Sequence, residues 1–144
     1  METSWMPIST DQLRQQAVNL LDVLHLPTQD ISESTKLFAL TKGDKLIGMA
    51  GLDVLGSEAL LRSVGVQPNQ QSQGIGQNLV ARIEAEAKSL GIKKLHLLTT
   101  SASRFFEQLE YQTIDRNSCP EEIQKSSQFT TVCPSSAVLM MKKL

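Results

Sequence analysis

The chain has 144 residues, of which 40% are hydrophobic and 20% charged, and its formal net charge is −1. That length suits a single domain, residues 1–144, with a core of its own, and is too short for two. The near-neutral balance excludes the basic footprint of a nucleic-acid or anionic-membrane binder, and no apolar run approaches the roughly 20 residues of a bilayer span.

The start, Met-Glu-Thr-Ser-Trp, has neither the basic nor the apolar region of a signal peptide. Two cysteines, Cys119 and Cys133, fit a reduced cytoplasmic protein better than a disulfide scaffold. Trp5, Pro7 and Ile8 read as a short edge strand. Thr10 reads as an N-cap with Asp11 in the first turn. Leu13, Ala17, Leu20, Leu21 and Leu24 share one face of a helix that Pro27 stops. A polar loop follows, then a hairpin of residues 36–41 and 45–54 about Gly43. Gly56-Ser57 turns the chain into a strand over 58–66.

A helix over about 76–90 places Leu79, Val80, Ile83, Ala87 and Leu90 on one face, and Gly91 ends it. Residues 94–99 form a short apolar strand. Strand, helix and strand make a βαβ unit, hence a parallel pair with a right-handed crossover. Ser101 or Ser103 caps the next helix, which carries Phe105, Phe106 and Leu109. A strand near 112–115, a helical turn or two over 120–125 and a closing strand over 137–143 complete the chain. The expected class is α/β: a mixed, mostly antiparallel sheet of six to seven strands with a parallel βαβ core and helices on both faces.

The stretch between strand 58–66 and helix 76–90 stands out. Pro68 ends the strand, a run of amide side chains follows, and Gly74-Ile75-Gly76 opens the helix. The first amides of a helix lack internal partners, and the dipole adds partial positive charge there. Glycines without Cβ let an anion approach the backbone. Gln77 and Asn78 stand where a Walker loop needs Lys and Ser/Thr, and the third glycine of a dinucleotide fingerprint is missing. The residue types leave two readings open, a phosphate cradle or a glycine-rich turn that merely joins strand to helix.

Gln71-x-x-Gly74-x-Gly76 resembles the pyrophosphate loop, Gln/Arg-x-x-Gly-x-Gly/Ala, of the GNAT family of N-acetyltransferases. Phe106-Glu107-Gln108-Leu109-Glu110-Tyr111 is similar to the late-helix signature of that family, Tyr-Glu-x-Leu-Gly-Phe/Tyr, and the element order is also the same. Leu60-Leu61-Arg62-Ser63-Val64, Leu97-Leu98-Thr99-Thr100 and Cys133-Pro134-Ser135-Ser136-Ala137 resemble the arsenic-resistance branch. The resemblance implies a GNAT fold, acetyl-CoA as co-substrate, no metal, and acetyl transfer to the primary amine of a small, amino-acid-like molecule. It implies a monomer or homodimer acting in arsenic or xenobiotic resistance. A catalytically silent acetyl-CoA-binding module and a protein or peptide N-acetyltransferase are the competing readings.

Carried over residue by residue, the resemblance gives the pyrophosphate to the backbone of Gln71, Ser72, Gln73, Gly74, Ile75, Gly76 and Gln77. It pairs pantetheine with Val64, Gly65 and Val66, and brings Ser101, Ser103 and Phe106 to the cofactor. Gly65 permits a bulge there or marks close packing. The Val64 N–H is a candidate to polarise the thioester carbonyl. Relatives use a Glu as base at the position of Leu60. Glu58, on the same strand face, is the first candidate here, or else a solvated strand-end charge. His96 is the second, since histidine changes charge near neutral pH, or else a packed or surface histidine. Phe106 stands where relatives place an acidic Tyr, which leaves Ser103 to meet the sulfur or merely to cap its helix. Arg62 and Thr99 are the candidates for the acceptor's polar groups. Arg62 reads equally as half of an ion pair. Cys119 and Cys133, with no third soft ligand, make a poor metalloid site.

Overall fold

The computed structural model describes residues 3–26, 28, 31, 35–71, 73–100, 102–115 and 137–144. The elements are β1 (Thr3–Pro7), α1 (Asp11–Val23), β2 (Thr35–Lys42), β3 (Lys45–Leu55), β4 (Glu58–Val66), α2 (Ile75–Ser89), β5 (Lys94–Thr99), α3 (Ser103–Gln108), β6 (Gln112–Thr113) and β7 (Val138–Lys143). The seven strands lie in one sheet, in the order β1-β2-β3-β4-β5-β7-β6. Every neighbouring pair is antiparallel except β4–β5. The α/β class, the mixed sheet and the parallel βαβ unit are therefore as the pattern predicts. Ser72, Ser101, Cys119, Cys133, Pro27 and the turn expected over 120–125 lie outside the described residues. Among the described residues no helix is long and apolar enough to cross a membrane.

Thr10 caps α1, its Oγ1 accepting from Leu13 N–H at 3.1 Å. Ala17, Leu20 and Leu21 then bury against Ala39 and Met49 on one sheet face. The helix ends at Val23, with Leu24 as its C-cap. His25 takes φ 57°; its N–H donates to the Asp22 carbonyl and Leu26 N–H to the Leu21 carbonyl. This pair of bonds is the Schellman closure. Gly91 at φ 81° closes α2 in the same way, through bonds to the Lys88 and Ala87 carbonyls.

The opposite sheet face carries α2 and α3. Val80, Ile83 and Ala87 pack on Leu52, Leu61, Leu95 and Leu97, and Phe106 and Tyr111 extend that core. Burying a side chain such as Ile83 contributes about 2 kcal/mol. Tyr111, the only tyrosine of the chain, donates its hydroxyl to Glu84 at 2.9 Å. Burial first, then the Glu84 carboxylate, hold the phenol well above the usual tyrosine range. Lys142 bonds the same carboxylate.

Candidate active site

The site begins where two neighbouring strands part. β4 and β5 pair only over Glu58–Leu60 and Lys94–His96, although β4 runs on to Val66 and β5 to Thr99. Beyond Leu60 no rung pairs β4 with β5. Gly56 at φ 70° turns the chain into β4, and Pro68, which has no N–H to extend a ladder, stands just beyond its end.

The second half of β4 is also displaced from β3. Arg62 pairs with Gly51 and Gly65 with Met49, so Ser63 and Val64 together oppose Ala50. This is a β-bulge. The extra residue is Ser63, at φ 55°, a conformation that costs an L-residue about 1–2 kcal/mol. Arg62 Nε donates to Ser63 Oγ at 3.1 Å and holds the turn. Sequence reasoning allowed the bulge to Gly65. The structure places it two residues earlier and gives Gly65 the packing role: a Cβ there would come within 2.7 Å of Leu24 Cδ1 on α1.

The loop after β4 is braced by its own amides. Gln67 donates its side chain to the Leu46 carbonyl at 3.2 Å, and Gln71 donates to the Val66 carbonyl at 3.1 Å. Gly74 precedes α2 at φ 77°, and α2 has no side-chain cap. Among the described residues no side chain caps the amides of Ile75, Gly76 and Gln77, which stand at the positive end of a 15-residue helix. Gly76 is needed for a different reason than Gly74. A Cβ on it would meet the Phe105 ring at 3.2 Å.

A cleft of about 720 Å³ joins these parts. Its walls are Val64 to Val66 of β4, the Gln70–Gln71 turn, Gly74 to Gln77, Leu24 at the end of α1, and Ala102, Phe105 and Phe106. None of these lining residues is charged, so the attraction for an anion comes from peptide dipoles. Phe106 is fixed edge-on between Phe105 and Tyr111, with ring centroids at 5.0 and 5.5 Å. The tyrosine hydroxyl is engaged with Glu84 on α2, and the chain has no second tyrosine.

The α1 side of the sheet carries the charged groups. His96 Nε2 lies 2.8 Å from Glu58 Oε1, with the His96 side chain 2% exposed and that of Glu58 18%. The two base candidates are thus one hydrogen-bonded pair that spans the paired segment of β4–β5, Glu58 on its first rung and His96 on its last. Arg62 is closed in, with Nη1 3.2 Å from Asp53 Oδ2, and Asp53 accepts from Thr35 Oγ1 at 2.6 Å. The ion-pair reading of Arg62 is the geometry found. Asp53 escaped the sequence reading, although it is the single carboxylate in β3. Its partner was findable only as the single arginine of the next strand.

Thr99 Oγ1 accepts from Ala102 N–H at 3.0 Å and so steers the chain into α3. Ser103 is the first residue of α3, and the cap position is Ala102, which forms no side-chain capping bond. Ser103 therefore lies inside the helix and does not cap it. Ser103 is not among the residues lining the cleft, whereas its neighbours Ala102 and Phe105 are. Among the described residues there is no group of three or more His, Cys, Asp or Glu able to hold a metal.

The model of the acetyltransferase (GNAT) family matches residues 5–111. The chain belongs to the GNAT acetyltransferase family. It is 27% identical over 99 residues to an amino-acid acetyltransferase of Edwardsiella ictaluri, covering 67% of this chain and 22% of that protein. A 62-residue stretch is 32% identical to the amino-acid acetyltransferase of Salmonella typhimurium, 43% of this chain and 14% of that one. This GNAT chain thus spans about a fifth or less of the length of these curated relatives. Its fold is that of N-acetylglutamate synthase from Neisseria gonorrhoeae, solved with coenzyme A and N-acetyl-glutamate. The TM-score is 0.81 at 20% identity, over 100% of this chain and 35% of the other. It is also that of the ribosomal-protein-S18-alanine N-acetyltransferase from Escherichia coli. That TM-score is 0.74 at 22% identity, covering 99% and 94%.

Proposed function

We propose that the protein transfers an acetyl group from acetyl-CoA to the primary amine of a small, amino-acid-like molecule. The observation that carries this is the uncapped N-terminus of α2 at the mouth of the β4–β5 splay, with the cleft between them. The diphosphate of CoA takes the amides of Gln71, Ser72, Gln73, Gly74, Ile75, Gly76 and Gln77. Pantetheine runs between the parted strands against Val64, Gly65 and Val66, beside Phe106 and the serines at 101 and 103. The Val64 N–H polarises the thioester carbonyl and receives the oxyanion. Proton removal from the amine falls to the Glu58–His96 pair. Arg62, with Asp53 behind it, and Thr99 face the acceptor, and a guanidinium suits an amino-acid carboxylate.

Support for an amino-acid acceptor comes from the names of the curated relatives and from the product held by the Neisseria structure. An arsenic-bearing amino-acid analogue is the narrower acceptor suggested by the branch similarity. The test is calorimetry with CoA and acetyl-CoA, followed by thiol release over a panel of amino acids, arsenic-bearing analogues and peptide N-termini. Binding with amine-dependent thiol release is expected. Binding without turnover on any amine would make the protein a CoA-binding module, and no heat with either ligand would remove the cradle itself.

A further inference from the structure

Resting on the acetyl-transfer reading, we infer that the proton-accepting atom is His96 Nδ1, with Glu58 as the positioning residue that leaves this nitrogen free. A carboxylate 2.8 Å from Nε2 fixes the ring proton on that nitrogen and leaves the lone pair on Nδ1. Nδ1 is buried and, among the described residues, has no hydrogen-bond partner. A buried polar atom left in that state costs about 1–3 kcal/mol. Packing alone gives no reason to bear it. The rung neighbours of His96 are Leu60 and Met141, and an apolar side chain would fill the place.

Position gives the reason. His96 is the last residue of β5 paired with β4, so it stands at the root of the splay. Strand register puts it on the sheet face of Arg62 and Asp53. The two ring nitrogens point nearly opposite ways. With Nε2 turned to Glu58 at the start of β4, Nδ1 is turned away from that end. The charged groups sharing the face are Glu58 and Arg62 on β4, Asp53 on β3, Lys94 on β5 and Lys143 on β7.

In the reaction the substrate ammonium passes one proton through water to Nδ1, and the imidazolium is held by the Glu58 carboxylate. The freed nitrogen lone pair bonds to the acetyl carbon as the carbonyl pair moves to oxygen. Collapse breaks the C–S bond, and the second N–H proton goes to the departing thiolate. After product leaves, Nδ1 returns its proton to solvent. Amine and thioester have become amide and thiol, with one proton released per ammonium consumed.

The test uses His96→Gln, whose amide reaches the place of Nε2 and keeps the bond to Glu58 but is no base. This variant is expected to bind acetyl-CoA with the parent affinity while kcat with alkyl amines falls on the order of 100-fold. The loss shrinks with hydroxylamine, whose conjugate acid is already mostly dissociated at neutral pH. Nitrogen-15 spectra supply a readout independent of turnover and of variant folding. The chain has two histidines, His25 and His96, and His96 should carry its proton on Nε2 in the parent and mix tautomers in Glu58→Gln. A proton found on Nδ1 in the parent, or parental kcat in His96→Gln, overturns the inference. A parent that binds acetyl-CoA and acetylates nothing instead overturns the functional reading, and is seen without any variant.

Discussion

The two halves of β4 do opposite kinds of work. From Glu58 to Arg62 the strand is paired on its β3 side throughout and on its β5 side as far as Leu60, and it offers side chains: a carboxylate on His96 and a guanidinium on Asp53. From Ser63 to Val66 it bulges at Ser63–Val64, resumes its pairing with β3 at Gly65 and Val66, and has no rung with β5, so its backbone is what it offers on that side. On the proposed function, one strand separates acceptor chemistry from cofactor binding. The lesson is that register is the switch. A single extra residue at Ser63 turns Gly65 onto the α1 face, where regular alternation would have put Val64.

The sharpest way to break this division is Arg62→Met. It strands the Asp53 carboxylate and removes the contact to Ser63. A loss of about 3 kcal/mol in denaturant titration is expected, together with weaker acetyl-CoA binding as the bulge loosens. A loss confined to stability would show that the halves are independent. Gln77→Glu should act on the cofactor half alone, with opposite signs. A carboxylate in the first turn of α2 stabilises the helix by about 0.5 kcal/mol, yet it repels a diphosphate, lowering CoA affinity about tenfold. Calorimetry and denaturation on one sample read both.

The smallest effect touches neither half. Glu110 closes α3 at φ 76°, with its N–H on the Glu107 carbonyl and Tyr111 N–H on the Phe106 carbonyl. Glycine is the residue this closure favours, so Glu110→Gly should raise stability by about 1 kcal/mol and leave kcat unchanged.

Much of this was legible in the residues. β4 and β5 were bounded correctly because Gly56, Pro68 and Gly91 punctuate them, and the glycine loop was plain because Gly74 interrupts polar sequence before a helical period. The bulge was not legible. Ser63 has no residue-type signature for positive φ, and hydrophobic alternation continues across it. Without the bulge the register of β3 on β4 was unknown, so Asp53 could not be matched to Arg62. Glu110 stands where the family signature has Gly, yet the Schellman bonds and the Tyr111 contacts keep the glycine geometry at a strain cost. Thr99 was missed as the entry to α3 because it supports the helix from outside, at the end of a strand.

The short β4–β5 seam has a mechanical consequence. The sheet is nearly two sheets, a meander of β1 to β4 between neighbours in sequence and a trio of β5, β7 and β6 that closes over residues 99 to 138. Local pairings form before distant ones, so the meander assembles first and the trio last. A ligand lying in the gap touches both pieces and acts as a clasp. Amides of the β5–β7 ladder should then exchange far more slowly once that clasp is shut.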